Sequence, residues 1–256
     1  MSQPLSAIVT TLNNAATLGK CLASLRFADE LLVVDSGSSD ATLAICAEHG
    51  ARVLHHPFAG YGPQKAYAAS QARHRLVLLL DADEWLPAET AAEIQRLLRG
   101  LPEDGGAIAG WRLPRREQIF WQYQAPGTRL NRYLRLFDRQ RFRMSANPVH
   151  AAPEVDGPVG EIQGCFVHDG EPDIHTKVAK INAYSSGLVA DKLARGSRWA
   201  KLRCIVYPPF FFVRQYLFKR QFVNGWAGFV QSVVGAFYVF LKYAKLDEAR
   251  RRRTDA

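Results

Sequence analysis

The first hundred residues alternate between short apolar runs and longer amphipathic stretches, and most of the runs close on a polar or acidic residue. Leu5 to Thr11 reads as a strand that opens through Asn13-Asn14 into a helix at about 15–26. Leu31-Leu32-Val33-Val34-Asp35 is a second strand, and Ser36-Gly37-Ser38-Ser39-Asp40 is turn chemistry that caps a helix over 40–49. Arg52 to His55 is a third, short strand, followed by Gly60-Tyr61-Gly62-Pro63 and a helix over 64–73. Leu76 to Leu80 is five apolar residues in a row, the pattern of a strand buried on both faces, and Pro87 opens a helix over 87–99. Strand–helix alternation with short connections predicts an α/β fold: a mostly parallel open sheet with flanking helices.

Asp81-Ala82-Asp83 ends the fourth strand. Two residues apart on an extended chain, the carboxylates point to one side. Such a pair suits a divalent cation that holds a diphosphate. Equally, it suits a polar strand end that caps the helix after it. Position decides in favour of the cation. Thr10, Asp35, Lys65, Asp81 and Asp83 all fall near C-terminal strand ends, where open α/β sheets bind ligands, with Lys65 in the first turn of its helix. Thr10 to Asn14 contains no glycine, which disfavours a dinucleotide fold and a P-loop.

Ala7-Ile8-Val9-Thr10-Thr11-Leu12-Asn13, then Val33 to Thr42, then Asp81-Ala82-Asp83-Glu84 resemble, in order and spacing, the family-2 glycosyltransferases of GT-A fold. That likeness covers roughly the first hundred residues. Gly62-Pro63-Gln64-Lys65, Leu134-Arg135-Leu136-Phe137 and Val149-His150 are similar to the bacterial branch that contains lipopolysaccharide core glucosyltransferases. The resemblance implies that Thr10 and Leu12 border the nucleotide base and that Asp35 accepts a hydrogen bond from it, a uracil-type base and hence a UDP-sugar being favoured. It implies that Asp83, helped by Asp81, binds Mg²⁺ or Mn²⁺, and that Lys65 lies near the phosphates. Relatives in this branch often carry Val-His-Glu where this chain has Val149-His150-Ala151. The base that takes the acceptor proton is therefore sought among Glu154, Asp156 and Glu84, with Glu154 first because it lies a few residues past the motif. His150 and His168 are each either a structural histidine or a further metal ligand.

The formal charge of +9 is unevenly spread: 8 basic and 12 acidic residues in 1–110, against 25 and 12 in 111–256. The basic half is expected to face something anionic. Nine arginines lie between Arg112 and Arg143; most read as a solvated face, with Arg135 the first choice to contact phosphate or an anionic acceptor. No nucleic-acid-binding motif accompanies them, and no nucleic-acid partner is expected. Cys21, Cys46, Cys165 and Cys204 form neither a zinc motif nor a disulfide framework. No basic n-region with an apolar h-region precedes the first strand, so a cytoplasmic protein is expected. Strands are expected over 106–113 and 130–138, with short strands and turns over 148–168.

The expected division is a nucleotide-sugar half (1–110), an acceptor-side half of the same catalytic domain (111–173) and a helical, basic and aromatic appendage (174–256). Residues 175–195 have helical spacing, and Pro208-Pro209 is expected to start a new helix that carries Phe210-Phe211-Phe212. Gln221 to Leu241 is 21 uncharged residues, long enough to span a bilayer. Yet Asn224, Gly228, Gln231, Gly235 and Lys242 form a small-and-polar stripe opposite Phe222, Trp226, Phe229, Val230, Val233, Phe237 and Phe240. That asymmetry suits a helix lying in the membrane interface, or one packed against a partner helix. The expected protein is an inverting, metal-dependent enzyme on the inner face of the cytoplasmic membrane. It moves a sugar from a nucleotide-diphosphate donor to a lipid-linked glycan, with the lipopolysaccharide inner core first. A polyprenyl-phosphate acceptor and a catalytically silent membrane-surface adaptor are the alternatives.

Overall fold

The computed structural model describes residues 2–102, 106–145, 152–170, 172–194 and 199–254. The chain divides into two compact units, residues 1–116 with 131–169, and residues 117–130 with 170–256.

The first unit is built on β1 (Leu5–Thr11), β2 (Glu30–Asp35), β3 (Arg52–His55) and β4 (Leu76–Asp81), which pair in parallel in the order β3-β2-β1-β4. Helices α1 (Leu18–Ser24), α2 (Thr42–Glu48), α3 (Tyr61–Gln71) and, after the two-residue β5 (Glu84–Trp85), α4 (Ala88–Gly100) fill the connections. Beyond β4 the sheet becomes antiparallel through β8 (Asn131–Asp138) and β6 (Gly110–Ile119). It closes with β12 (Phe166–His168) paired to β5. Between these lie the hairpin strand β7 (Gln122–Tyr123), the separate antiparallel pair β9 (Phe142–Met144) with β10 (Pro153–Val155), and β11 (Val159–Glu161) beside β6. The result is an α/β fold on a mixed sheet whose N-terminal half is parallel.

The apolar runs explain the layers. Successive residues of a strand face opposite sides. Leu5, Ala7 and Val9 of β1, with Leu76, Leu78 and Leu80 of β4, pack with Leu18, Leu22, Cys46, Ile94 and Leu98 from α1, α2 and α4. Ile8, Val77 and Leu79 face the other way, onto Ala68, Ala69 and Ala72 at α3 and Leu134 and Phe137 of β8. Small alanines let α3 lie close. Gly110 serves the same end within the sheet, because a β-carbon there would come within 2.8 Å of Leu134 Cδ1 and 3.0 Å of the Leu136 carbonyl oxygen.

The second unit is a helical assembly. It comprises α5 (Ile174–Gly187), α6 (Val189–Ala194), α7 (Ala200–Val213), a π-helical turn (Arg214–Phe218), a 3-10 turn (Gln221–Asn224) and α8 (Gly225–Thr254). Asp173 caps α5 by accepting from the Thr176 amide at 2.7 Å. Pro208 and Pro209 lie inside α7 instead of starting a helix. A proline there removes an intrahelical bond, and packing of α7 along α8 holds the helix instead: Tyr207 meets Tyr243 and Phe212 meets Phe229 edge to face. The two helices run antiparallel, since Ala200 shares a cluster with Leu246 while Phe211 lies against Gly235. Lys245 bonds α8 to α5 through the Asn182 carbonyl and side chain, Ser185 and Ser186, at 2.7–2.8 Å. Among the described residues, Gln221–Arg252 is the one helical stretch long and apolar enough to cross a membrane.

Candidate active site

The site grows from the loops that leave the parallel strands, and these loops are tied to one another. After β1, the Asn14 side-chain oxygen accepts from the Thr11 hydroxyl and the Leu12 amide. The Asn13 amide donates to Ser38 Oγ at 2.9 Å, the Ser39 amide returns a bond to Asn13 at 2.8 Å, and the Ala15 amide donates to Asp40. Asn13 adopts φ 53°, a left-handed conformation that asparagine tolerates. Asp35 is buried at the end of β2, where its carboxylate accepts from the Gly37 and Ser38 amides and the Ser38 hydroxyl. Gln64, also buried, donates to Ser36 Oγ and the His56 carbonyl, so α3 is fixed to both loops. Thr10 lies opposite Asp81 in the β1–β4 register, and Leu12 is exposed on the loop beyond.

At the end of β4 the backbone leaves the strand at Asp81, so Asp83 sits in a turn and not on the extended chain. Lys65, in the second turn of α3 and not the first, reaches both Asp81 oxygens at 2.6 and 2.9 Å. Arg135 of β8 stands 3.6 Å from Asp81 and 2.5 Å from Glu84, which is 1% exposed. Glu84 also accepts the Asp81 amide. The Arg135 guanidinium lies over the Phe166 ring at 4.8 Å, and its buried Nε has no hydrogen-bond partner among the described residues. Burial alone would raise the Asp81 carboxyl; Lys65 and then Arg135 overcome it and hold it at about 2. For Glu84 burial prevails, pushing the carboxyl up against the pull of Arg135.

Asp83 has a side chain 39% exposed, with one oxygen 3.3 Å from His168 Nε2. The antiparallel β12–β5 pairing brings His168 there, opposite Glu84. Glu154 lies on β10 and pairs with Arg143 of β9 at 3.1 Å, and Asp156 follows it, exposed, its amide bonded to the Arg141 carbonyl. Lys65, Asp81, Glu84 and Arg135 thus form one network and Asp83 joins His168, while Glu154 and Asp156 belong to the β9–β10 pair. His150 lies outside the described residues. Sequence reasoning missed Gln64 as a tie between loops. It stands in Gly62-Pro63-Gln64-Lys65, but a buried glutamine on a helix gives no periodic signal.

Strand-end carboxylates and cations on a half-parallel sheet narrow the chemistry without naming it. The model of glycosyl transferase family 2 matches residues 6–153, more than half of the chain. The chain is a family-2 glycosyltransferase. This glycosyltransferase is 32% identical over 251 residues to the lipopolysaccharide core biosynthesis glycosyltransferase LpsC of Rhizobium meliloti, covering 95% of this chain and 92% of that one. It is 30% identical to a glycosyltransferase of Rickettsia typhi, over 95% of this chain and 87% of the relative. Among solved structures, mannosyl-3-phosphoglycerate synthase from Rubrobacter xylanophilus is 15% identical with TM-score 0.49, covering 76% of this chain and 75% of that one. In the glycosyltransferase, no group of three or more His, Cys, Asp or Glu side chains converges among the described residues. The Asp83 carboxylate, its side chain 39% exposed, nonetheless fits Mg²⁺ or Mn²⁺, which one or two carboxylates hold while phosphate oxygens and water fill the remaining positions; His168 Nε2 beside it is an imidazole donor that Mg²⁺, which takes oxygen ligands, does not favour.

Proposed function

We propose that this glycosyltransferase moves a sugar, with inversion, from a nucleotide-diphosphate donor to a lipid-linked glycan, the lipopolysaccharide inner core first. The observation that carries this reading is the division of labour at the end of β4. Asp81 is taken by Lys65 and Arg135, which leaves Asp83, with His168 beside it, as the open carboxylate. The likeness to LpsC supports the acceptor class.

On this reading Asp83 and His168 hold the divalent ion, which when bound screens the charge that grows on the leaving diphosphate. Lys65 and Arg135 add fixed positive charge in the same place, and Asp81 and Glu84 keep the two cations oriented. Thr10, Leu12 and Asp35 line the base side, with a UDP-sugar favoured. The acceptor hydroxyl attacks the anomeric carbon as the bond to the diphosphate breaks, and its proton passes to a carboxylate. Of the three candidate bases Glu84 is the one in the network with Asp81, Lys65 and Arg135; Glu154 is held by Arg143 on the β9–β10 pair, and Asp156 lies beside Arg141 and Asp138, at the opposite end of β4 from Asp81. The enzyme works at the inner face of the cytoplasmic membrane, where a lipid-linked acceptor is held.

Calorimetric titration with UDP, GDP, ADP and CMP, each with and without Mn²⁺, tests the donor site. Metal-dependent binding of one nucleoside diphosphate, abolished by Asp83→Ala in a folded protein, is the expected result; binding to none of them, or binding indifferent to Asp83, defeats the reading. A polyprenyl-phosphate acceptor is the second reading, favoured by the engagement of Glu154 with Arg143. An anionic phosphate needs no base, so transfer that survives Glu154→Gln, Asp156→Asn and Glu84→Gln alike would select it.

A further inference from the structure

The 21-residue uncharged stretch folds with its small-and-polar stripe turned inward. Asn224 is buried, donating to Thr128 Oγ1 and Gln221 and accepting from the Ala125 amide at 2.6 Å. A β-carbon at Gly228 would run into the Gln221 carbonyl oxygen, and one at Gly235 would meet Phe211 at 2.7 Å. Gln231, Ser232 and Gly235 help line a cavity of about 320 Å³ between α5, α7 and α8. The polar face of α8 is therefore used up inside its own unit.

What remains outside is apolar. Ile205 is 72% exposed, Phe210 67%, Phe218 66% and Trp226 69%, with Leu217 and Phe237 also exposed. This face carries residues from α7, the turn after it and α8. Arg214 and Arg220 are exposed on either side of Leu217-Phe218, and no acidic residue occurs between Lys192 and Leu246. A soluble monomer rarely leaves such a face bare. Aromatic and aliphatic side chains interleaved with arginine and lysine, without a carboxylate, complement an anionic lipid surface.

We propose that the outward face of the α7–turn–α8 hairpin inserts into the interfacial layer of an anionic bilayer, with the hairpin lying in the membrane plane and neither helix crossing it. This deepens the membrane-surface reading above by assigning the surface that makes the contact. It also explains the inward stripe: Asn224, Gln231 and Ser232 are kept from lipid by packing on their own unit.

The test uses the full chain with phosphatidylcholine vesicles, with and without phosphatidylglycerol, read by co-sedimentation. Binding that requires phosphatidylglycerol and weakens with salt is expected. Phe210→Ser, Phe218→Ser and Trp226→Ser are each expected to lower it about tenfold, since each removes a large apolar side chain from lipid. Leu43→Ser, at an exposed site on α2, is the control expected to bind as the parent does. Circular dichroism confirms that each variant is folded, and nucleotide binding measured in parallel separates failure of this surface from failure of the donor site. Variants that bind vesicles as well as the parent overturn the proposal. So does a chain that dimerises through this face without binding vesicles. Retention in the membrane after alkaline carbonate extraction also overturns it, because a spanning helix would then be present.

Discussion

At the scale of single residues, the site is a charge-balanced cluster in which each carboxylate has a different environment and so a different task. Asp81 is held at about 2, so it stays ionised far into acid. Because its folded value lies below the unfolded one, its pairing stabilises the protein fully above about pH 4. That contribution, about 2 kcal/mol, is lost as the pH falls toward 2. Asp81→Asn is therefore expected to flatten the acid limb of a stability–pH profile followed by urea denaturation. Arg135 matters in another way. Arg135→Met leaves the buried Glu84 with Arg115, 3.8 Å away, in place of its 2.5 Å partner and is expected to cost about 3 kcal/mol, the lower end of the penalty for breaking a buried pair from one side. Adding Glu84→Gln should recover part of that loss without restoring nucleotide binding. Denaturation midpoints and calorimetry separate the two effects.

Elements were legible wherever a local pattern carried them. The apolar runs of β1, β2 and β4 and the turn residues after β2 mark the parallel half, and chain order places Thr10, Asp35 and Asp81 at its strand ends, while Lys65 comes from α3 and Asp83 from the turn after β4. The antiparallel half depends on pairings between distant segments, such as Leu76 with Asp138 and Val167 with Trp85, which no local pattern encodes. For that reason the partnership of His168 with Asp83, and of Arg135 with Glu84, could be suspected only residue by residue. Pro208-Pro209 misled for the opposite reason: a strong local signal was overridden by packing against α8. The glycines of α8 tell the same story at close range. Gly228→Ala must push the 3-10 turn away from the helix and is expected to cost about 2–3 kcal/mol. Asn224→Ala strands the Ala125 amide, while the Thr128 hydroxyl keeps its bond to the Ala125 carbonyl, at an expected cost of about 1–3 kcal/mol. Thermal unfolding followed in the far ultraviolet measures both.

For the whole molecule, the uneven charge and the two compact units put different chemistries in different parts of one chain. The acidic N-terminal half carries the carboxylates of the proposed donor site, and the basic half carries the apolar face. Salt is accordingly expected to weaken vesicle binding while leaving nucleotide affinity less affected, since the site's ion pairs are short-ranged and at least partly buried. Parallel titrations at low and high sodium chloride check this.

One strand belongs to both units. Residues 110–116 of β6 sit in the first, while its end and the β7 hairpin go with the helices, where Ile119 and Phe120 pack against Ala227. No single cut can therefore divide the protein cleanly. A chain truncated after Asp169 retains every strand of the sheet but strips the cover from Ile119 and Phe120, giving a sticky hairpin prone to aggregate. A soluble catalytic fragment calls for two edits, with residues 117–130 replaced by a short polar turn in the same step.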